Sequence, residues 1–196
     1  MCVTPTIRFE TSNGLIEATL LGNDQVEVDM GAPGLEPEQI PCDPSRAVSS
    51  RMEGGATLYT LEDEAGESHE LLVASMGNPH GVIRVPDISS ARVDELGPRL
   101  TAHPFFPEQA NIGFCQIVDR GFIRLRVFER GVGETRACGT GACAAAVVSR
   151  LQGLVDEKVK VSLPGGKVRI RWQGPDSPVK MTGPATLVYE GQVEDA

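Results

Sequence analysis

The chain has 196 residues, of which 40% are hydrophobic, and a formal net charge of −9. That apolar content is enough for a buried core, in one domain or two small ones, so a soluble globular protein is expected. Basic residues do not cluster along the sequence, no apolar run is as long as a membrane span, and no signal-peptide pattern opens the chain. Nucleic acid and membranes are therefore not expected as partners, and a cytoplasmic location is.

Short alternating strands separated by glycine turns dominate the predicted structure. In chain order they are predicted at residues 7–11, 15–20, 26–30, 58–63, 69–76, 81–85, 123–129, 159–163, 167–172 and 185–190. Two helices are predicted, one over 91–100 that ends at Gly97-Pro98 and one over 141–152 that Gly153 closes. The expected fold class is α/β of the α+β type, with strands in the majority and helices packed on sheets.

Two segments of the sequence form a weak internal repeat. Residues 7–20 and 159–172 both read as hairpins around a glycine turn, and their alignment pairs Phe9 with Val161 and Leu20 with Trp172. Alternating apolar residues around a glycine often match by chance, so the repeat carries little weight alone. In the second copy Cys138 precedes the hairpin, and its equivalent for the first copy would fall before residue 1.

The sequence ERGVGETRACGTGACAAAV, residues 129–147, places a cysteine directly ahead of an alanine-rich helical segment. The unpaired N–H groups and the positive end of the helix dipole favour an anion there, which predicts a lowered pKa for Cys138. Gly139 and Gly141 leave room for a substrate carboxylate to reach the same N–H groups. The motif predicts a reactive thiol beside an anion site.

The other cysteines have no such setting. There is no CxxC pair and no histidine at metal-ligand spacing, so neither a structural metal nor a disulfide framework is expected. Most cysteines of a cytoplasmic protein are free and buried, and Cys143, inside the predicted helix, is expected in the core. The cysteines are Cys2, Cys42, Cys115, Cys138 and Cys143.

Five polar residues near strand ends or glycine turns are further candidates. Each has an ordinary structural explanation, since Glu129 and Arg130 could be an exposed ion pair and Asn78-Pro79 a turn dipeptide. Taken together with a cysteine, however, they are the groups that bind an amino-acid substrate. The candidates are Asn78, His80, Asn111, Glu129 and Arg130.

The sequence strongly resembles the diaminopimelate epimerase family along essentially its whole length. The motifs that carry the resemblance are SMGNPHGVIRV, FPEQANIGFCQIV, IRLRVFERGVGETRACGTGACAAAVV, LPGGKVRIRW and MTGPATLVYEG. The resemblance implies a curved, mostly antiparallel sheet wrapped around a central helix. It also implies interconversion of LL- and meso-2,6-diaminopimelate, in lysine and peptidoglycan biosynthesis, without pyridoxal phosphate or metal. Two cysteines on opposite faces of the α-carbon would move the proton.

The resemblance also assigns roles by motif. Cys138 matches the second catalytic cysteine, and His80 and Glu129 match residues that support catalysis. The residues that match substrate-binding positions are Asn78, Asn111, Glu129, Arg130, Gly139 and Thr140. Inversion needs an acid and a base on opposite faces, and one cysteine serves only one face.

The motifs correspond to the family's C-terminal half. Residues 1–29 are expected to be the trailing hairpin of an incomplete N-terminal half, 30–186 the C-terminal domain, and 187–196 a strand returning to the N-terminal half. Cys2 is a poor substitute for the first catalytic cysteine, because a proline and a strand follow it instead of a helix. The chain is expected to be inactive alone and to expose apolar surface, whereas the resemblance implies a homodimer for full-length members.

Two alternatives to this function stay open. A proline or hydroxyproline racemase or a phenazine-pathway isomerase could use the same scaffold, although the GNPH and ERGxGET signatures argue against them. The other alternative is a non-catalytic half that binds an amino-acid ligand or a partner chain.

Overall fold

A computed structural model describes residues 6–11 and 14–192. It contains 13 strands in one sheet. The strands are β1 (Thr6–Thr11), β2 (Gly14–Gly22), β3 (Gln25–Asp29), β4 (Ser49–Glu53), β5 (Ala56–Glu62), β6 (Ser68–Ser75), β7 (Pro79–Arg84), β8 (Asn111–Asp119), β9 (Phe122–Glu129), β10 (Gly133–Thr135), β11 (Lys158–Leu163), β12 (Gly166–Arg171) and β13 (Lys180–Pro184). Helices α1 (Val93–Thr101) and α2 (Gly139–Leu151) and three short 3₁₀ turns complete the described elements.

The sheet is mostly antiparallel and runs in the order β1-β2-β3-β13-β12-β11-β9-β8-β7-β6-β5-β4, with β10 paired to β9. Its two parallel contacts are β7 with β8 and β9 with β11. Parallel neighbours need a crossover connection, and α1 and α2 occupy these two crossovers. Helix α2 contacts strands β6 to β9, β11 and β12, so the sheet curves around it. The predicted α+β class and the sheet wrapped around a central helix are confirmed.

Two apolar cores lie on opposite faces of the sheet. The larger surrounds α2, whose residues 141–149 are all buried, because its small side chains let the curved sheet approach closely. The smaller lies under α1 and includes Phe105, Phe106 and Phe114. Cys115 and Cys143 are buried and free, as expected, whereas Cys2 lies outside the described residues. No helix in the described part of the chain is both long and apolar enough to cross a membrane.

The structure corrects the prediction that Gly97-Pro98 ends the first helix. Helix α1 continues through Pro98 to Thr101. Burial of Leu96 and Leu100 fixes both sides of the proline, and a Cβ at position 97 would lie 2.4 Å from Cγ of Phe128. Packing therefore outweighs the hydrogen bond that a proline removes.

The C-terminal strand also differs from the prediction. Residues 185–192 form no strand, and the last one in the described chain is β13, which pairs with β12 and β3. The Lys180 ammonium lies 2.7 Å from the Asp29 carboxylate and supports the pairing with β3. That 187–196 return to a preceding half stays a prediction, and 193–196 lie outside the described residues.

Both copies of the internal repeat form antiparallel hairpins. Strands β1 and β2 pair from Thr6↔Thr19 to Thr11↔Gly14, and β11 and β12 pair from Lys158↔Arg171 to Leu163↔Gly166. The first hairpin joins the rest of the sheet through β3 and β13. The division at residue 29 coincides with the end of β3, and the assignment of 1–29 to another half stays a prediction.

Candidate active site

The sheet brings the predicted site residues to one edge, at the N-terminus of α2. Asn78 lies in the turn before β7, His80 follows on β7, and His80 is paired with Asn111 at the start of β8. Glu129 ends β9, the antiparallel neighbour of β8. Cys138 is the N-cap of α2. Strand order thus assembles residues that lie up to 60 positions apart in the sequence.

Cys138 is held by the first turn of α2. Its Sγ lies 3.7 Å from Oγ1 of Thr140, and a Cβ at position 141 would lie 3.1 Å from the same sulfur. Glycine at position 141 therefore makes room for the thiol itself, in addition to any ligand. At position 139, a Cβ would meet the thioether of Met181 at 3.2 to 3.3 Å, so β13 closes over the start of the helix.

The structure contradicts the expectation of a lowered pKa for Cys138. Only 5% of the residue is exposed, and burial raises the pKa of the thiol above its ordinary value, with the nearby Glu129 carboxyl acting in the same direction. The Thr140 hydroxyl and the Gly141 N–H stabilise the thiolate but do not outweigh desolvation. In this structure the helix terminus holds a protonated thiol at neutral pH.

Glu129 is positioned by a residue that the sequence did not single out. The Thr135 hydroxyl makes a very short hydrogen bond to Oε1 of Glu129. Strand β10 folds back on β9 through a turn with positive φ at Gly131 and Gly133, which brings the two residues together. Thr135 lies within the GETRACGTG motif, but nothing in the motif distinguished it from a turn residue.

His80 is buried and contacts Asn78. Its Nε2 lies 3.1 Å from Oδ1 of Asn78, so the ring acts as a donor that orients the amide. Burial, with a smaller contribution from the Arg130 charge, lowers the pKa of His80 to about 3. His80 is therefore neutral at physiological pH and is suited to positioning Asn78.

Asn111 and Arg130 are likewise joined. The side-chain oxygen of Asn111 accepts a hydrogen bond from the Arg130 backbone N–H at 3.0 Å. The Arg130 guanidinium donates to the backbone oxygens of Glu108 and Gln109, at 2.9 and 3.4 Å. These contacts hold the Arg130 guanidinium at the site. The Asn111 side chain itself is buried.

A cavity of about 590 Å³ opens beside these residues. This volume lies within the roughly 300–1,000 Å³ usual for small-molecule sites. Of the predicted residues, Asn78, Arg130 and Thr140 line it, whereas Cys138, Gly139, His80, Asn111 and Glu129 lie outside its lining. The sequence had not predicted the opposite wall, because nothing in its motifs links the first hairpin to the site. That wall includes Thr11, Leu15, Ile16, Asp29, Met30 and Gly31.

Asp63, Glu67 and His69 form a second polar cluster, with ligand-type atoms within 4.8 Å of one another. Asp63 already accepts hydrogen bonds from the Ala65 and Glu67 N–H groups and from the His69 and Arg99 side chains. Its pKa is lowered, mainly by the Glu67 N–H. These contacts tie the turn between β5 and β6 to α1 and do not favour a metal site.

The chain is similar in sequence to diaminopimelate epimerases. The family model for diaminopimelate epimerase matches residues 72–188. The diaminopimelate epimerase of Ectopseudomonas mendocina is 53% identical over 188 residues, which cover 96% of this chain and 65% of the relative. That of Pseudomonas aeruginosa PAO1 is 52% identical, over 98% of this chain and 67% of the relative. The chain thus spans about two thirds of the length of these relatives.

Solved structures show the same fold at low sequence identity. A probable proline racemase from Agrobacterium radiobacter K84 matches with a TM-score of 0.60 and 16% identity, over 96% of this chain and 60% of that one. A phenazine biosynthesis protein of the PhzF family from Bacillus anthracis matches with a TM-score of 0.58 and 14% identity, over 92% and 66%. The solved structures show only a shared fold, whereas the family model and the relatives of 52–53% identity show the family. The chain belongs to the diaminopimelate epimerase family.

Proposed function

We propose that this chain provides one side of a diaminopimelate epimerase site, in which Cys138 exchanges a proton with the substrate α-carbon. The observation that carries the proposal is the position of the Cys138 thiol at the N-terminus of α2, beside a cavity lined by Asn78, Arg130 and Thr140. Backbone N–H groups at a helix start suit a carboxylate, and the substrate α-carbon would then lie close to the sulfur.

Each site residue has a proposed role. Gly139 and Thr140 bind the α-carboxylate, and Asn78, Asn111 and Arg130 bind or position the rest of the substrate. The Glu129 carboxylate, held by Thr135, supports proton transfer at Cys138, and neutral His80 orients Asn78. A buried, protonated Cys138 is suited to donating a proton to a carbanion, and the reverse reaction requires its thiolate. The proposed reaction uses no cofactor.

The proposed reaction needs a second acid or base on the opposite face of the α-carbon. Among the described cysteines, Cys115 and Cys143 are buried around α2, and Cys42 lies in a loop between two 3₁₀ turns. None of these three lines the cavity or has a hydrogen bond to a residue that does, whereas the Cys138 sulfur has one to Thr140. The second thiol is therefore expected from a segment equivalent to the part of the relatives that this chain does not span.

The test is an assay of LL/meso interconversion and of α-proton exchange in D₂O. The purified 196-residue chain is expected to show no interconversion alone and to gain it with the preceding third of a relative, such as the P. aeruginosa enzyme. Cys138→Ser should then abolish the activity, whereas the matched Cys42→Ser should retain it. Interconversion that survives Cys138→Ser, or inversion by the chain alone, would overturn this assignment.

The non-catalytic alternative predicts a different outcome. Tight binding of diaminopimelate by the chain alone, with no activity after that part of a relative is supplied, would favour a ligand-binding half. Turnover of proline or hydroxyproline in place of diaminopimelate would favour the racemase alternative. The homodimer and the cytoplasmic location stay predictions.

A further inference from the structure

Five cations share the outer face of the β11–β12 hairpin. Along β11 the inward residues are apolar and packed toward α2, so the alternate side chains point to the other face. Strand pairing places Lys158 directly opposite Arg171 and Lys160 opposite Arg169, with Lys167 next to them on β12. Although basic residues do not cluster in the sequence, alternation on two paired strands gathers five of the 18 lysines and arginines.

These five cations are not neutralised by the described part of the protein. None of them forms a salt bridge with a residue in 6–11 or 14–192. Along the sheet beyond β12, the carboxylates at equivalent height are Glu27 and Asp29, two strands away on β3, and Asp29 is already paired with Lys180. Like charges directly opposite on neighbouring strands destabilise a sheet. Grouping these five cations on one face therefore does not stabilise the sheet, in a chain whose net charge is −9.

A groove of about 410 Å³ runs along this face. Lys160, Lys167 and Arg169 line it, and the polar side chains of Gln25 and Thr182 stand on its other side. Its cations alternate along their strands with the residues that pack toward α2, and it shares no lining residue with the cavity near Cys138. Its lining contains no aromatic side chain on which a nucleobase could stack.

The spacing of the charges indicates the size of a ligand. Adjacent strands lie about 4.8 Å apart, and alternate residues of one strand about 7 Å apart. The two opposed pairs of cations therefore cover an area of roughly 5 by 7 Å, and Lys167 extends this area along β12. An area of this size suits two or three linked phosphate groups. A continuous nucleic-acid strand would need a longer positive track with stacking surfaces.

We propose that the outer face of β11–β12 binds an oligophosphate, either free or as the phosphate chain of a nucleotide. Lys160, Lys167 and Arg169 provide the charge, and Gln25 provides a neutral amide donor, whereas the Thr182 hydroxyl already donates to the Glu27 carboxylate. This site does not depend on the proposed epimerase function, because it shares no residue with the cavity.

The proposal is tested by isothermal titration calorimetry of the 196-residue chain with tripolyphosphate at constant ionic strength. The variant Lys160→Gln/Arg169→Gln should weaken binding at least tenfold. The matched variant Arg46→Gln/Arg51→Gln, with the same change in net charge at exposed positions outside the groove, should change affinity less than twofold. Circular dichroism and thermal melting should show that both variants fold.

The proposal is overturned by no heat of binding at millimolar tripolyphosphate, by equal loss of affinity in both double variants, or by tighter binding of a single-stranded oligonucleotide than of tripolyphosphate. A titration with ATP and one with adenosine distinguish the two ligand sources. Binding of ATP and tripolyphosphate but not adenosine supports recognition of the phosphate chain, whereas adenosine binding equal to that of ATP contradicts it.

Discussion

The two hairpins of the internal repeat have similar sequence patterns but very different burial. Phe9 is 49% exposed and Leu20 50%, whereas the equivalent Val161 and Trp172 are 0% and 2% exposed. Helix α2 covers the β11–β12 hairpin, and no helix among the described residues covers β1–β2. Alternation thus specifies a strand and its two faces, but a second layer determines whether the apolar face is buried.

Truncating the side chains at equivalent positions of the two hairpins should give the largest difference in the free energy of unfolding. Trp172→Ala should lower the free energy of unfolding by about 3–5 kcal/mol, because it leaves a cavity in the larger core. Leu20→Ala should cost less than about 1 kcal/mol, because half of that side chain is exposed. Urea denaturation measures both. A comparable loss for Leu20→Ala would mean that the β1–β2 face is covered in solution.

The close packing of α1 against β9 can be tested at Gly97. Gly97→Ala should cost about 1–3 kcal/mol, because its Cβ would overlap the Phe128 ring and force α1 away from β9. The matched Gly121→Ala, where the nearest atom would be 3.5 Å away, should change stability by less than about 0.5 kcal/mol. Thermal unfolding distinguishes them, and equal effects would contradict the proposed overlap.

Acid should destabilise the folded state through the buried His80 on β7. Its folded pKa of about 3 lies below its unfolded value of about 6.5, so the unfolded state binds the proton first. This contribution to stability is complete above about pH 6.5 and declines by up to about 1.4 kcal/mol per unit as the pH falls towards 3. His80→Gln should remove this part of the decline and the control His103→Gln should retain it. Identical pH profiles for His80→Gln and the unmodified chain would contradict a neutral buried His80.

The smallest expected effect concerns the reactivity of Cys138. Because burial raises the pKa of its thiol, alkylation by iodoacetamide at pH 7 should be slower than that of a free model thiol and should increase with pH. Mass spectrometry of the modified peptide measures the rate specifically. Alkylation faster than the model thiol would show that the helix terminus outweighs burial, as the sequence predicted.

The sequence predicted what depends on local pattern and motif. Alternation located nine of the observed strands, and the ERGVGETRACGTG motif located Cys138, Glu129 and the start of α2. It failed where distant packing decides the outcome, as at Pro98 and at β13, whose KMTGP sequence lacks strand alternation. The predicted direction of the Cys138 pKa shift was wrong for the same reason. The burial of this thiol depends on β13 and on other residues that are distant in the sequence.

The site motifs likewise located only one wall of the cavity, the wall that contains Asn78, Arg130 and Thr140. Leu15, Ile16 and Met30 form part of the other wall, but their sequence resembles an ordinary hairpin and its continuation. Thr135 was missed because its role depends on how β10 folds back on β9.

The pairing of β3 with β13 links the first hairpin to the rest of the sheet, and residues from both sides of this pairing line the cavity. Leu15 and Ile16 lie on the hairpin side, and Asn78 and Thr140 on the other. A rotation of the hairpin about this pairing would widen or narrow the cavity, while the distance from Cys138 to Thr140, within one helical turn, would not change. Ligand access to the cavity and the geometry of the thiol would thus depend on different parts of the fold.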